Sequence, residues 1–341
     1  MPGRRVVDVD KSLCRRCQVA QPSITVRTEP LCAACFGKYV QSKVVKRMES
    51  FRVRNAEVGK EPILLLPLSF GSCSLTLLHI LSSRLKNQIE RTGRPGFKLH
   101  ILHVEPNDLV VRLKSLYPEH EYSVKPLHDI ASNTAITDLV SSDQSSEILE
   151  DLFTQAPTAS SKADLLDILL RRFVTSQAAS LNCEAILWAD STTGLAERTL
   201  SETAKGRGSS LAWIGADGAS TYGSNTYYPL KDLLRHEIKA YVQYEGRPLT
   251  ELLVEEPPKT LSVSAKNTTI DDLMQHFFRS VEQEYPSIVA NVVKTSSKLE
   301  QKYLGELASS CELCTMPLGG NSPAKSRLCY GCIRTLNQAT S

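Results

Sequence analysis

The sequence predicts an α/β protein with a mostly parallel sheet, flanked by a small cysteine-rich module at each end. Short apolar runs alternate with segments of helical periodicity through the middle of the 341-residue chain, a pattern typical of parallel sheets covered by helices. Four cysteines lie near the start and four near the end in the same arrangement. No apolar run reaches eighteen residues, so we expect no membrane span.

The alternation begins at Ile63–Leu68, a short apolar run typical of a buried strand. Leu75–Arg91 has leucines at helical spacing and is stopped by Gly93 and Pro95. The same criteria predict strands at Lys98–Val104, Tyr122–Leu127, Ala185–Ala189 and Tyr227–Leu230, and helices at Asn107–Tyr117, Leu165–Leu181, Thr192–Lys205, Lys231–Tyr244 and within Ile270–Leu299, broken near Pro286.

Composition divides the chain into four segments. Residues 1–60 form a basic four-cysteine module with a linker helix, and residues 61–256 form the α/β domain. Pro257-Pro258 marks the start of a helical extension over residues 257–305, which leads into a second four-cysteine module over residues 306–341. The stretch at about 129–162 is acidic and rich in Ser and Thr, so we expect a surface insertion with one or two helices.

The two cysteine frames indicate two metal sites. In each frame two C-x-x-C pairs are separated by fourteen residues, and two such pairs supply the four sulfur ligands of tetrahedral zinc. A disulfide framework is the weaker interpretation, because Met1–Asp10 has no apolar segment of a secretory signal. One site built from both ends and an iron–sulfur cluster are further alternatives. The predicted ligands are Cys14, Cys17, Cys32 and Cys35, and Cys311, Cys314, Cys329 and Cys332.

Basic charge is concentrated at the start of the chain. The whole chain carries a net charge of +3, but residues 1–60 contain thirteen Lys and Arg against five Asp and Glu. Aromatic residues are interleaved with the basic ones after Cys35, which favours a nucleic-acid surface over an ordinary solvated helix face. The candidate contacts are Lys38, Lys43, Lys46, Arg47, Arg52 and Arg54.

The loop after the first predicted strand is a candidate phosphate site. In open α/β sheets ligands bind beyond the carboxyl ends of the strands, and small residues at a helix N-terminus present backbone N–H groups to phosphate. One glycine and no Walker-type lysine make this signal weak. The candidate residues are Ser69, Gly71, Ser72 and Ser74.

The order of these features resembles that of the pyrophosphate-loop ATPases that thiolate tRNA, whose corresponding turn reads S-G-G-x-D-S. Trp188–Gly208 resembles their G-H-N-x-D-D-x-A-E-T segment with the following helix and R-G, and Tyr228–Ile238 resembles their R-P-L-R-x-L-x-x-x-E-I segment. The resemblance implies a Rossmann-like fold of the adenine nucleotide alpha-hydrolase type. Arg207, within Gly206–Gly208, is either part of a helix C-cap or a phosphate contact, and we count it as a candidate tRNA contact.

With cysteine frames at both ends, the chain is similar over nearly its whole length to the cytoplasmic tRNA 2-thiolation protein 2 family. The resemblance implies a cytoplasmic subunit in the 2-thiolation of the wobble uridine of the tRNAs for Lys, Glu and Gln. It also implies a heterodimer with a catalytic paralogue, and sulfur delivered as a thiocarboxylate by a ubiquitin-like carrier.

Departures from the enzymes' motifs predict a subunit without catalytic residues. Phe70 replaces the first loop glycine, where we expect its bulk to hinder phosphate, and Cys73 replaces the loop aspartate and is a poor ligand for magnesium. These two loop changes make ATP binding doubtful. Only Cys73 and Cys183 lie outside the frames, and we interpret both as buried thiols. Two alternatives remain: an active ATP-dependent sulfurtransferase that uses Cys73 at a helix N-terminus, and a zinc module that binds proteins during conjugation of the carrier.

Overall fold

A six-stranded sheet lies at the centre of the computed structural model, which describes residues 10–132, 145–254, 268–299, 309–318 and 326–337. The sheet order is β5-β4-β3-β6-β8-β7, and only β7 runs antiparallel to its neighbour. A separate antiparallel hairpin, β1–β2, lies near the N-terminus. The strands are β1 (Ile24–Val26), β2 (Glu29–Leu31), β3 (Ile63–Pro67), β4 (Lys98–Val104), β5 (Glu121–Lys125), β6 (Ala185–Leu187), β7 (Gly218–Ala219) and β8 (Asn225–Tyr227).

Helices follow the strands in the order that the sequence predicts. They are α1 (Ala33–Arg47), α2 (Ser72–Thr92), α3 (Leu109–Leu116), α4 (Ser145–Gln155), α5 (Ala159–Ser180), α6 (Thr192–Ala204), α7 (Arg235–Glu245), α8 (Leu249–Leu252), α9 (Ile270–Glu284), α10 (Pro286–Ser296) and α11 (Tyr330–Thr335). Short 3-10 turns occupy Glu49–Phe51, Val53–Asn55, Leu127–Ser132 and Gly208–Trp213. None of the described helices is long and apolar enough to cross a bilayer.

The apolar run of β3 exists because both faces of this strand are covered. β3 pairs in parallel with β4 on one side and β6 on the other. Leu64 and Leu66 belong to the hydrophobic core that includes residues of α1, α2 and α7. Leu65 points the other way and packs with Val174 and Ala178 of α5. Successive side chains of a strand alternate between faces, so a strand that is buried on both faces must be apolar at every position.

The segment that we expected to be a surface insertion contributes to the core. Residues 133–144 lie outside the described part of the chain, but α4 and the first turns of α5 follow them. Ile148 and Leu152 of α4 are buried together with Leu165 and Leu169 of α5. The helix itself was expected, but its burial was not, because a helix that packs with only one narrow face has a low apolar content.

The helical extension packs against the sheet domain. Thr269 caps α9 in a reciprocal arrangement with Asp272, and the break before Pro286 lies where the sequence predicts it. Phe278 of α9 and Val289 of α10 are fully buried beside residues of α6. This packing fixes α6, whose ends border the two sites described below.

Candidate metal centres and strand-edge cleft

Each cysteine frame closes on itself. Within each group of four, all Sγ atoms lie within 4.8 Å of one another. The Sγ atoms of Cys17 and Cys32 are 3.8 Å apart, and those of Cys314 and Cys329 are 3.7 Å apart. Tetrahedral coordination with metal–sulfur bonds of about 2.3 Å places the sulfur atoms about 3.8 Å apart. Both groups therefore fit a single metal ion, and the alternatives of one shared site and of a disulfide framework are wrong.

The first turn of each frame has the same backbone shape. Gln18 and Thr315, each four residues after the first cysteine, have left-handed φ values of 52° and 59°. Their backbone N–H groups donate to the carbonyl oxygens of Cys14 and Cys311 at 2.9 and 2.8 Å. In both frames the third cysteine caps a helix, α1 or α11. The repeated spacing thus reflects a repeated structure.

The N-terminal group is partly open to solvent. Cys14 and Cys32 are buried, whereas Cys17 and Cys35 are half-buried. Burial acts to raise the pKa of Cys14, but backbone N–H groups, first that of Cys17, lower it to about 6. The guanidinium of Arg16 lies over the ring of Tyr39 at 5.3 Å. A thiol that ionises readily is a good metal ligand.

All four sulfur atoms of the C-terminal group are buried. They share a hydrophobic cluster with Ile168, Leu169 and Phe173 of α5. Arg172 donates to the backbone carbonyl oxygens of Glu312 and Leu313, between the first pair of cysteines. The sequence did not identify Arg172, because nothing in the spacing of α5 connects it with a cysteine frame 140 residues later.

The predicted tRNA contacts differ in their exposure and in their partners. Lys38 and Lys46 are exposed on α1, and Lys43 lies over the ring of Tyr39 at 5.6 Å. Arg47 makes two hydrogen bonds of 2.7 and 2.8 Å to the carboxylate of Asp232, which joins α1 to the sheet domain.

The remaining basic candidates lie off α1. Arg52 and Arg54 pair with Glu49 at 3.3 and 3.2 Å, and the Arg54 side chain is 66% exposed. The Arg207 side chain is only 2% exposed and pairs with Asp164 and Glu202. This placement does not support a direct contact of Arg207 with tRNA.

In the loop between β3 and α2, Phe70 adopts a backbone conformation that is usual for glycine. Phe70 has a φ of 59°, a conformation that costs a residue with a side chain about 1 kcal/mol. Its ring is 1% exposed and meets the ring of His103 edge-on at 4.9 Å. The expectation that this ring would crowd a phosphate is wrong, because the ring points into the core. The hydroxyl groups of Ser69 and Ser74 lie 3.3 Å apart and bond within the loop.

A cleft of about 540 Å³ opens beside this loop, at the carboxyl ends of β3, β4 and β6. The guanidinium of Arg171 lies over the ring of Trp188 at 4.6 Å. Arg171 also pairs with Asp167 at 3.2 Å and with Asp190 at 3.9 Å. Magnesium is held through carboxylates, and both carboxylates among the described residues that line the cleft are engaged by Arg171.

The thiol in this cleft is not poised for chemistry. Burial raises the pKa of Cys73 to about 11, and the nearby Asp190 adds to the effect while Arg235 opposes it. Burial likewise raises the pKa of Cys183 to about 11. Because both pKa values lie far above neutral pH, both thiols are almost fully protonated there. Only the thiolate is nucleophilic, so neither sulfur is reactive. The cleft offers neither a free pair of acids nor a reactive sulfur.

Comparison with known proteins decides the family. A family model described as "Cytoplasmic tRNA 2-thiolation protein 2" matches residues 269–327. The protein of that name from Pyrenophora tritici-repentis is 40% identical over an alignment of 377 residues, which covers 100% of this chain and 99% of the relative. The chain belongs to the cytoplasmic tRNA 2-thiolation protein 2 family. The relative from Phaeosphaeria nodorum is 39% identical, with 99% of this chain and 98% of its own covered.

A solved structure confirms the fold class. The chain is similar to the U34-tRNA thiolase NcsA from Methanococcus maripaludis, solved with its [4Fe-4S] cluster, with a TM-score of 0.58 over 96% of each chain. The two sequences are 15% identical, so the likeness concerns the fold. This chain thus has the layered α/β architecture that the sequence predicts.

Proposed function

We propose that this protein is the non-catalytic subunit of the cytoplasmic complex that 2-thiolates the wobble uridine of the tRNAs for Lys, Glu and Gln. It binds tRNA and supports a catalytic paralogue, which receives sulfur from a thiocarboxylated ubiquitin-like carrier. The family name supports the process and the compartment. The observation that carries the division of labour is the strand-edge cleft, where Arg171 holds both carboxylates and Cys73 is protonated.

Thiolation requires that the C2 oxygen of uridine become a leaving group by adenylation before sulfur attacks. Adenylation uses ATP, whose phosphates are normally neutralised by magnesium on carboxylates. The loop of this chain bonds within itself, and Arg171 already satisfies Asp167 and Asp190. We therefore assign adenylation to the paralogue, and Ser69, Gly71, Ser72 and Ser74 keep the loop shape rather than an ATP site.

We assign one zinc ion to each cysteine group. The spacing of the sulfur atoms supports a single tetrahedral ion in each, and a multi-iron cluster would spread its ligands over several metal atoms. Bound zinc supplies a cross-link between two turns of chain and no redox chemistry. This assignment keeps the proposed division into two cysteine modules, the α/β domain and the helical extension.

The surface proposed for tRNA consists of α1 and the turns that follow it. Lys38 and Lys46 are free of carboxylate partners among the ion pairs of the described residues, and Lys43, Arg47, Arg52 and Arg54 extend the same basic segment. Phosphate contacts of this kind release counterions, so binding should weaken steeply with salt. We no longer include Arg207, because its charge is buried.

The proposal is tested with purified proteins. The chain alone should release no AMP from ATP in the presence of tRNA, whereas addition of the catalytic paralogue and the thiocarboxylated carrier should yield thiolated uridine, detected by mass analysis of the tRNA. Robust tRNA-dependent AMP release by the lone chain would contradict a non-catalytic role.

The sulfurtransferase alternative makes a separate prediction. Replacing Cys73 with Ala should abolish wobble-uridine thiolation in cells if Cys73 carries sulfur, and should leave it unchanged if the raised pKa of this thiol reflects a packing role. The third candidate is a zinc module that binds proteins during conjugation of the ubiquitin-like carrier. If it is correct, conjugation of the carrier should be intact and tRNA should not crosslink to the chain.

A further inference from the structure

Arg207 is a buried charge with an unusual set of partners. It follows α6 directly after Gly206, whose φ is 86°. Its guanidinium donates to both carboxylate oxygens of Asp164, to Glu202 at 3.3 Å and to the hydroxyl of Thr335 at 3.2 Å. It also lies 3.7 Å from the Sγ of Cys332, in the geometry of an N–H to sulfur hydrogen bond. One arginine therefore connects α5, α6, α11 and a cysteine of the C-terminal group.

The backbone of the C-terminal group is shaped to admit this arginine. A Cβ atom on Gly331 would lie 2.6 Å from the Cγ of Arg207 and 3.0 Å from the carbonyl oxygen of Lys205. A Cβ contact as short as 2.6 Å does not occur in proteins, so any larger residue at 331 would displace Arg207. The equivalent position in the N-terminal group is Ala34, which is exposed.

A second arginine approaches the same group from the opposite pair of cysteines. Arg172 of α5 is 8% exposed and donates to the carbonyl oxygens of Glu312 and Leu313. Four thiolates around a divalent ion carry a net charge of −2, and leaving such a charge in a buried site without compensation is costly.

We propose that Arg207 and Arg172 are positioning residues of the C-terminal metal centre, which balance the charge of its thiolates and couple metal retention to the α/β domain. The inference rests on the proposed assignment of a metal to each cysteine group. The hydrogen bond to Cys332 reduces the electron density on this sulfur, and burial excludes competing ligands. The C-terminal centre therefore releases its metal slowly, whereas the N-terminal centre, with Cys17 and Cys35 half-buried, releases its metal quickly.

Metal release from the full-length, zinc-loaded protein tests the proposal. A chromogenic chelator in excess should remove about two zinc ions per chain in a fast and a slow phase, and Cys14→Ser with Cys17→Ser should remove the fast phase. Arg207→Met should accelerate the slow phase by about tenfold or more, as expected when a hydrogen bond to a charged group is lost. Arg207→Lys, which keeps the charge, should restore part of the slow rate.

A spectroscopic measurement separates positioning from packing. In protein loaded with cobalt(II), the sulfur-to-cobalt charge-transfer band of the C-terminal centre should move to lower energy in Arg207→Met, because a thiolate without its hydrogen bond is easier to oxidise. Arg235→Met is the matched control: it breaks a half-buried, two-bond pair with Glu197, and Arg235 contacts neither cysteine group.

Equal acceleration by both variants, with no shift of the cobalt band, would overturn the positioning role. If Arg207→Met does not fold, Gly331→Ala is the second variant, because it displaces Arg207 without changing any charge, and an unchanged slow phase in it would equally refute the proposal. A protein that binds no metal would instead refute the metal assignment itself, so the two failures are distinguishable.

Discussion

The two cysteine modules have the same spacing and the same turn geometry, but they are attached to the body of the protein in different ways. The N-terminal module is attached mainly through the apolar face of α1 and the pair between Arg47 and Asp232, and two of its cysteines, Cys17 and Cys35, are only half-buried. The C-terminal module is attached through the cysteines themselves, which are buried against α5 and contacted by Arg172 and Arg207. Equal ligand sets therefore need not have equal roles.

This difference indicates how the two modules divide their work. A module whose metal centre is partly open to solvent and whose helix carries exposed lysines is free to present a surface to a polyanion. A module whose centre is buried among charged and apolar groups can hold elements together but has little surface to offer. The contrast supports tRNA contact at the N-terminal end and a structural role at the C-terminal end.

The largest expected effect comes from deleting one centre at a time. Cys311→Ser with Cys314→Ser should lower the free energy of unfolding of the whole chain by about 4 kcal/mol or more, because metal-binding energy in such sites is folding energy. Cys14→Ser with Cys17→Ser should cost less than half as much, since Phe36 and its neighbours on α1 keep their apolar contacts. Calorimetry of both variants makes the comparison, and equal losses would abolish the distinction between the modules.

The next effect concerns the carboxylate that holds Arg207. Burial acts to raise the pKa of Asp164, but the hydrogen bond and charge of Arg207 and the charge of Lys205 hold it below 3.8. A depressed pKa contributes stability that is present above the unfolded value and is lost as the pH falls through the folded value. Asp164→Asn should therefore cost about 3 kcal/mol, the order expected for breaking a buried pair, and the loss should stay constant between pH 7 and 5.

Urea unfolding measures this loss, and a neighbour on the same helix provides the control. Asp167 pairs with Arg171 but its side chain is 49% exposed, so Asp167→Asn should change stability by less than about 1 kcal/mol. A loss in Asp164→Asn no larger than that in the control would show that the pair with Arg207 contributes nothing specific.

Much of the fold was accessible from the sequence, because its signals are local. The apolar run of β3 and the leucine spacing of α2 identify a strand and a helix without knowledge of their neighbours. The two-residue strand β7 and the hairpin β1–β2 were missed, since two or three residues cannot display an alternating pattern.

The candidate site could be predicted from the sequence only in part, because only some of its signals are local. Eight candidate metal ligands follow from two spacings, and the structure brings each set of four together. The sequence left Arg207 as either part of a helix C-cap or a phosphate contact, and we counted it as a candidate tRNA contact. Its partners Asp164 and Thr335 are 43 and 128 residues away in sequence, and no local pattern connects them.

A smaller effect is expected for tRNA binding. Lys38→Glu together with Lys46→Glu should weaken binding to tRNA by about tenfold and reduce the salt dependence by about two ion equivalents, as expected for two phosphate contacts. Arg334→Glu reverses an exposed charge on the C-terminal module and should leave affinity within about twofold. Filter binding across a salt series checks both, and equal weakening by the two variants would place tRNA contact at both ends.

The smallest expected effect is a difference in how the stability contributions of Glu237, near the N-terminal module, and Asp164, near the C-terminal module, depend on pH. Near the N-terminal module, Tyr39 of α1 donates to Glu237 of α7 at 3.4 Å. Burial raises the pKa of Glu237 above 4.5, although the N–H of Leu234 and the charges of His236 and Arg27 oppose this. The folded state therefore binds the proton more tightly than the unfolded state, so ionisation of Glu237 at neutral pH costs stability, the reverse of the case of Asp164.

Glu237→Gln removes the cost of ionisation and keeps a side-chain oxygen that can accept the hydrogen bond from the backbone N–H of Leu234. The variant should be more stable than the natural protein at pH 7, because it removes the cost of keeping a buried carboxylate charged. Its advantage should shrink as the pH falls toward 4.5, because the natural carboxyl then becomes neutral as well. Urea midpoints at pH 7, 6, 5 and 4.5 measure the trend. A constant difference across this range would contradict a stability cost from the ionisation of Glu237.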